Sequence, residues 1–323
     1  MEMNRKICAI ACGMVATGYD LYDAGNADIC DFAREVKVMP LDDNVRLWFE
    51  KARTGQVTVN PYWPRGHAVL SASFFVNGCD FDIGGHMTFL DETGVTDPIG
   101  RENFISWIAE LPYMLAYMEE KVAGFWDGYC NLQSILAVNN DAIVSEARKI
   151  AGDFFGAGAY ELFFTPNPLY SPYATDFIRI GNRIIVIGHS CDVESMLHEA
   201  LHVEVAKHRD LISAYVLKHG HGNFADIAKM TKLGYITEDK MMHGDDYKPH
   251  YVRVIEECIV RGISTVLAGG GDSRLAVHAN DGFGSVPAIG VLFRQMRPEA
   301  NVLGSFIFQA VKWNEAIQEM HGN

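Results

Sequence analysis

The residue pattern implies an α+β chain, mostly helical, with a small mixed sheet and one helix set apart by its chemistry. Apolar residues recur at helical spacing over long stretches, as in Phe104, Ile105, Ile108, Leu111, Met114, Leu115 and Met118. β-branched runs are few and short, the clearest being Arg183 to Gly188. Soon after that run come His198, Glu199, Ala200, Leu201 and His202, an H-E-x-x-H pentad inside the apolar repeat Val193, Met196, Leu197, Ala200, Leu201 and Val205.

Taken in order, residues 1 to 56 read as helices with Asp/Asn-rich breaks at Asp20 to Asp28 and at Leu41 to Asn44. The first apolar run, Ile7 to Ala16, follows Arg5 and Lys6 and has the length of a short signal peptide. Glycine and cysteines interrupt it and no small-residue cleavage site follows before Tyr19, so a folded helix is expected there. Val57 to Val59, Ala68 to Val76 and Met87 to Leu90 read as short strands between breaks at Pro61, Pro64 and Gly84-Gly85. The helical pattern returns from Glu102 to Gly156, where Trp107, Tyr113, Tyr117, Phe125, Trp126 and Tyr129 read as core aromatics.

Glu161 to Phe164 and Asp176 to Ile187 supply strands that lead into the pentad helix, which Ser190 or Asp192 can cap. A second helix spans His250 to Leu267. Gly269 to Gly271 is its stop, since a phosphate loop would continue with Lys and Ser/Thr. Ala288 to Met296 and Leu303 to Ile317 close the chain as helices. The expected organisation is a mainly helical region over 1–156 and a catalytic region over 157–323.

With 323 residues, 49% hydrophobic and 21% charged, the chain can bury a large core. Its 27 Lys+Arg against 41 Asp+Glu give a formal charge of −14, and no basic cluster interrupts it. That argues against nucleic acid or an anionic membrane surface as partner. No apolar run reaches the roughly 20 residues that span a bilayer. Cys8, Cys12, Cys30, Cys79, Cys130, Cys191 and Cys258 are odd in number and form no C-x-x-C pair, so they read as reduced thiols. A cytoplasmic protein is expected, with secretion the alternative if residues 1–17 act as a signal peptide.

The pentad carries the chemistry. Positions i and i+4 of a helix lie about 40° and about 6 Å apart, so the imidazoles of His198 and His202 can share one Zn²⁺. Glu199 can then serve as general base toward a metal-activated water, the arrangement used in peptide hydrolysis. A catalytic zinc takes a third protein ligand. His208 has the ten-residue spacing of H-E-x-x-H-x-x-G-x-x-H, but Val205 replaces the turn glycine, and an unbroken helix would carry His208 about 15 Å from His198. Glu256 and Glu257 on the second helix are the alternatives. Periodicity puts Glu256 on the more apolar line and Glu257 on the face of Val254 and Arg261, and spacing alone does not choose between them.

Here the sequence resembles the gluzincins, the thermolysin-like zinc peptidases. More narrowly it is similar to an uncharacterised bacterial metallopeptidase family in which H-E-x-x-H is followed by a helix bearing a glutamate and then I-V-R. The matching residues are Glu257-Cys258-Ile259-Val260-Arg261. The resemblance implies a zincin-like fold, a peptide or protein substrate, and zinc held by His198, His202 and Glu257. In gluzincins the ligand glutamate follows an asparagine and precedes, by four residues, an aspartate that orients a histidine; this chain has Glu256 and Arg261 there.

Other residues take supporting expectations. An oxyanion donor is sought among His243, Tyr247, His250 and Tyr251, with Tyr247 and Tyr251 favoured. Glu194, four residues before His198, is a candidate for orienting that imidazole. His219-Gly220-His221 reads as an exposed turn. Arg183 to Ile187 or the 161–164 strand could offer a free edge to an extended substrate. Two rival functions stay open: a non-catalytic protein with structural zinc, and a metal-dependent hydrolase of a non-peptide amide or ester.

Overall fold

The computed structural model describes residues 4–54, 67–93, 98–138, 140–233 and 248–321. They form two compact units, one of Met1–Val144 with Leu162–Asp192, the other of Ser145–Glu161 with Val193–Asn323. The chain therefore changes unit after 144, 161 and 192 instead of once after 156.

The first unit contains helices α1 (Arg5–Ala16), α2 (Ala27–Lys37), α3 (Asp43–Thr54) and α4 (His67–Ser73), then the short strands β1 (Val76–Asn77) and β2 (Asp80–Phe81). Helices α5 (Ile83–Thr93), α6 (Pro98–Ile108), α7 (Leu111–Lys121) and α8 (Trp126–Leu136) follow. After α9 (Asn140–Phe155), which runs across a unit boundary, come β3 (Glu161–Pro166), β4 (Thr175–Ile180) and β5 (Arg183–Gly188). Every residue from Ile7 to Ala16 is buried, so the leader-like run is a core helix around which α2, α3, α4, α7 and α8 gather. Asn4 opens it by accepting the Lys6 backbone N–H at 3.0 Å. No described helix is long and apolar enough to cross a membrane.

Two strand expectations fail here. Ala68 to Val76 is mostly helix α4, with only Val76 and Asn77 extended, and Met87 to Leu90 lies inside α5. The 57–59 run lies outside the described residues. The missed signal for α5 is Asp82: its Oδ1 accepts the Gly85 N–H at 2.8 Å, and its backbone carbonyl accepts from His86 at 3.0 Å. Gly85 is no break. A Cβ there would stand 2.3 Å from Asp82 Oδ2, so the glycine is what lets the capping carboxylate reach the first turn.

The sheet has the order β3-β5-β4. β4 and β5 form an antiparallel hairpin with Phe177 opposite Val186 and Ile178 opposite Ile185. Asn167, one residue past β3, donates its N–H to the carbonyl of Gly188 at the end of β5 at 2.7 Å. β3 and β5 thus finish side by side, and the sheet is mixed. β5 is the central strand, so Arg183 to Ile187 has no free edge for a substrate; β3 is an outer strand.

The second unit comprises α10 (Val193–Ala206), α11 (Arg209–His219), α12 (Ile227–Lys232), α13 (Lys248–Leu267), α14 (Asp272–Asn280), α15 (Val286–Met296) and α16 (Leu303–His321). α13 is its axis, touching α10, α11, α14 and α15. Ile255, Ile259 and Ile263 are wholly buried, each contributing about 1.5–3 kcal/mol of transfer free energy. Gly262 admits α15: a Cβ there would lie 2.6 Å from Ile289. Gly269, at φ 79°, follows the end of α13 as expected.

Candidate metal centre

α10 is buried on nearly all sides, so each polar group it carries inward needs a partner. Glu194, His198 and His202 recur every fourth residue and form one polar stripe. α13 answers with Arg253, Glu257, Arg261 and Thr265, again every fourth residue, while Ile255, Ile259 and Ile263 fill another side. The stripes pair in opposite senses. Thr265 Oγ1 donates to Glu194 Oε1 at 2.8 Å, and at the other end Arg253 and Glu257 meet His202.

At the middle of this seam, His198 Nε2 and His202 Nε2 lie 3.0 Å apart. Glu257 Oε2 is 3.5 Å from His198 Nε2, and Oε1 is 3.2 Å from His202 Nε2. One donor atom from each of the three residues lies within 4.8 Å of the others, a grouping able to hold a metal ion. Glu257 Oε2 is sealed from solvent with no hydrogen-bond donor aligned on it among the described residues, although Arg261 Nε stands 3.3 Å away. Such a buried acceptor is costly unless a cation completes it.

The electrostatics set the charge of the three groups. Burial pushes both imidazole pKa values down, that of His198 well below the ordinary histidine value, and the Arg253 charge pushes the same way at both rings. Burial would raise Glu257, but the two imidazoles and Arg261 hold its carboxyl well below the usual carboxylate range. The set is thus two neutral nitrogens and one anionic oxygen. Arg253 imposes one further condition. Its Nη1 can only donate, so at 3.3 Å from His202 Nδ1 it makes that nitrogen an acceptor and leaves the ring proton on Nε2, facing Glu257.

The other acidic alternative is committed elsewhere. Glu256, 1% exposed, accepts from Arg209 Nε at 2.6 Å and Nη2 at 3.3 Å, with Arg253 3.5 Å away. Glu199 is buried; burial would lower the Arg253 pKa, and the charges of Glu257, Glu256 and Glu199 together hold it up. His208 does not join the cluster: α10 ends at Ala206, and the His208 ring packs on Gly304, where a Cβ would stand 2.8 Å from it. Glu194 does not orient His198; it is taken by Thr265, His278 and Arg274.

Tyr251 is brought elsewhere too. It lies six residues before Glu257 on α13, about 9 Å along and about 120° round the helix, and its ring packs edge-on against His221 with centroids 5.0 Å apart. Tyr247 and His243 lie outside the described residues, as does the side chain of His250. The His219-Gly220-His221 turn is not a free exposed loop, since His219 Nε2 is 3.1 Å from Glu315 and His221 stacks on Tyr251. Cys8 and Cys12 are buried with sulfurs 3.9 Å apart, as packing residues would be, and all seven cysteines are free. The structure adds Arg253, Arg261, Thr265 and His278 to the cluster; the fourfold spacing on α13 was the signal for the first three, and no pattern in the sequence pointed to His278. No family model matches the chain, and no curated protein or solved structure matches it.

Proposed function

We propose that the chain is a zinc-dependent peptidase of gluzincin type, with His198, His202 and Glu257 as ligands and Glu199 as general base. The observation that carries this reading is the spacing of the three donors. His198 Nε2 and His202 Nε2 are 3.0 Å apart and each faces a different Glu257 oxygen, Oε2 at 3.5 Å and Oε1 at 3.2 Å, near the about 3.3 Å between atoms bound at about 2.0–2.1 Å to a tetrahedral zinc. Three donors and not four make up the group among the described residues, which favours a catalytic over a closed structural site. Zinc, when bound, supplies Lewis acidity that polarises the scissile carbonyl and lowers the pKa of the attacking water. Glu199, one residue on from His198, takes the proton of that water on its carboxylate and returns it to the leaving amine nitrogen. To hold the metal through Nε2, His202 would carry its ring proton on Nδ1 instead.

The test is a peptide-library digest with metal analysis. Cleavage abolished by a chelator and restored by zinc, with Glu199→Gln keeping stoichiometric metal but losing at least about 100-fold in turnover, supports the reading. Absence of metal-dependent peptide cleavage in the wild type, or full activity in Glu199→Gln, overturns it.

A further inference from the structure

We propose that Arg261 and His278 are positioning residues that tie the Glu257 carboxylate to the helix bearing the two histidines. The inference rests on the metal-centre reading and extends it past the ligands. Arg261 Nε lies 3.3 Å from Glu257 Oε2, while its Nη1 donates to His278 Nδ1 at 3.4 Å. The guanidinium carbon sits 4.3 Å from the centroid of the Phe283 ring, which fixes its plane. His278 is 5% exposed. Because its Nδ1 accepts from Arg261, its proton is on Nε2, which donates to Glu194 Oε1 at 2.9 Å. Thr265 Oγ1 and Arg274 Nε, each at 2.8 Å, complete the Glu194 carboxylate.

These contacts close a ring: an ion pair from Glu257 to Arg261, hydrogen bonds from Arg261 to His278 and from His278 to Glu194, and Glu194 along α10 to His198 one turn later. The carboxylate on α13 and the imidazoles on α10 therefore share one frame. A free glutamate side chain loses about 1.5–2 kcal/mol of rotamer freedom when it is fixed. The ring moves that cost from metal binding to folding, as outer contacts of metal ligands generally do. Lysine at 261 could not reach Glu257 and His278 together, since it lacks the forked geometry.

His278 is the cleaner position to change. Removing Arg261 also removes a cation near the metal, which strengthens binding and masks lost positioning, whereas His278→Leu keeps the charge. Zinc affinity is measured by chelator competition, and cobalt-loaded protein by its visible spectrum, in wild type, His278→Leu, Glu257→Ala and the double variant. Zinc binding in His278→Leu is expected to weaken roughly 10-fold, with an altered cobalt spectrum. On the Glu257→Ala background the same change should move affinity by less than about two-fold, because its effect runs through Glu257. His278→Gln, which can accept from Arg261 and donate to Glu194, should restore most of the loss. Arg261→Lys repeats the comparison should His278→Leu not fold, and is expected to weaken binding only when Glu257 is present. An equal loss on both backgrounds, or no loss in wild type, overturns the positioning role while leaving the metal centre standing. Wild-type protein that binds no zinc overturns both.

Discussion

The hydroxyl of Thr265 donates to the Glu194 carboxylate at 2.8 Å, and this bond marks one end of a polar seam whose centre is His198, His202 and Glu257. Residues 194, 198 and 202 on α10 run against 265, 261, 257 and 253 on α13. Two helices with apolar flanks and matched polar stripes can pair in only one register without stranding a buried charge. The seam therefore fixes where His198, His202 and Glu257 stand through the packing of the two helices alone.

Acid should weaken the fold in two stages. The imidazoles of His198 and His202 both have pKa values lowered by burial, so the folded state resists protonating them; stability present above the ordinary histidine value of 6.5 is lost as pH falls below it. Burial pushes Glu194 up, but hydrogen bonds from His278, Arg274 and Thr265 hold it at about 2. A depressed carboxyl contributes stability above its unfolded value of 4.5 that is lost as pH falls toward 2. Chemical denaturation of Glu194→Gln across this range should show an acid limb shallower by up to about 3 kcal/mol; an unchanged limb would contradict the assignment.

Glu256 and Glu257 should separate cleanly on mutation. Glu256→Gln removes the buried anion that faces Arg209 and Arg253 and should cost about 3–5 kcal/mol in urea unfolding of the metal-free protein. Glu257→Gln should lower zinc affinity by more than about 100-fold with a smaller stability loss. The reverse pattern would exchange their roles.

Arg253 should oppose metal loading. Once His202 Nε2 is a ligand, its Nδ1–H faces a guanidinium instead of the acceptor that ligand histidines ordinarily have. Arg253→Gln offers an oxygen there and removes a nearby positive charge, so zinc should bind about 10-fold tighter, or about 1.4 kcal/mol. Weaker binding measured by the same competition assay would mean the arginine supports the ligands.

Much of the candidate site was readable in the sequence, and the reason is periodicity. The pentad places two imidazoles on one helix face from local geometry alone. Choosing between Glu256 and Glu257 needed the neighbours: both are helix-compatible carboxylates, and only Arg209, at the start of a different helix, takes one of them away. His278 was unreadable because no local rule links α14 to α10. The misread strands share a cause. Runs such as Met87 to Leu90 are too short to show a period, and the decisive contact, a cap from Asp82 to Gly85, looked like a Gly-Gly break.

The metal-centre proposal requires one cation between His198, His202 and Glu257. A crystal of zinc-soaked protein, with anomalous diffraction collected at the zinc edge, tests it most directly. One strong peak per chain is expected within bonding distance of His198 Nε2, His202 Nε2 and a Glu257 oxygen. A peak held by other residues, or none at this position at full zinc occupancy elsewhere, would contradict it.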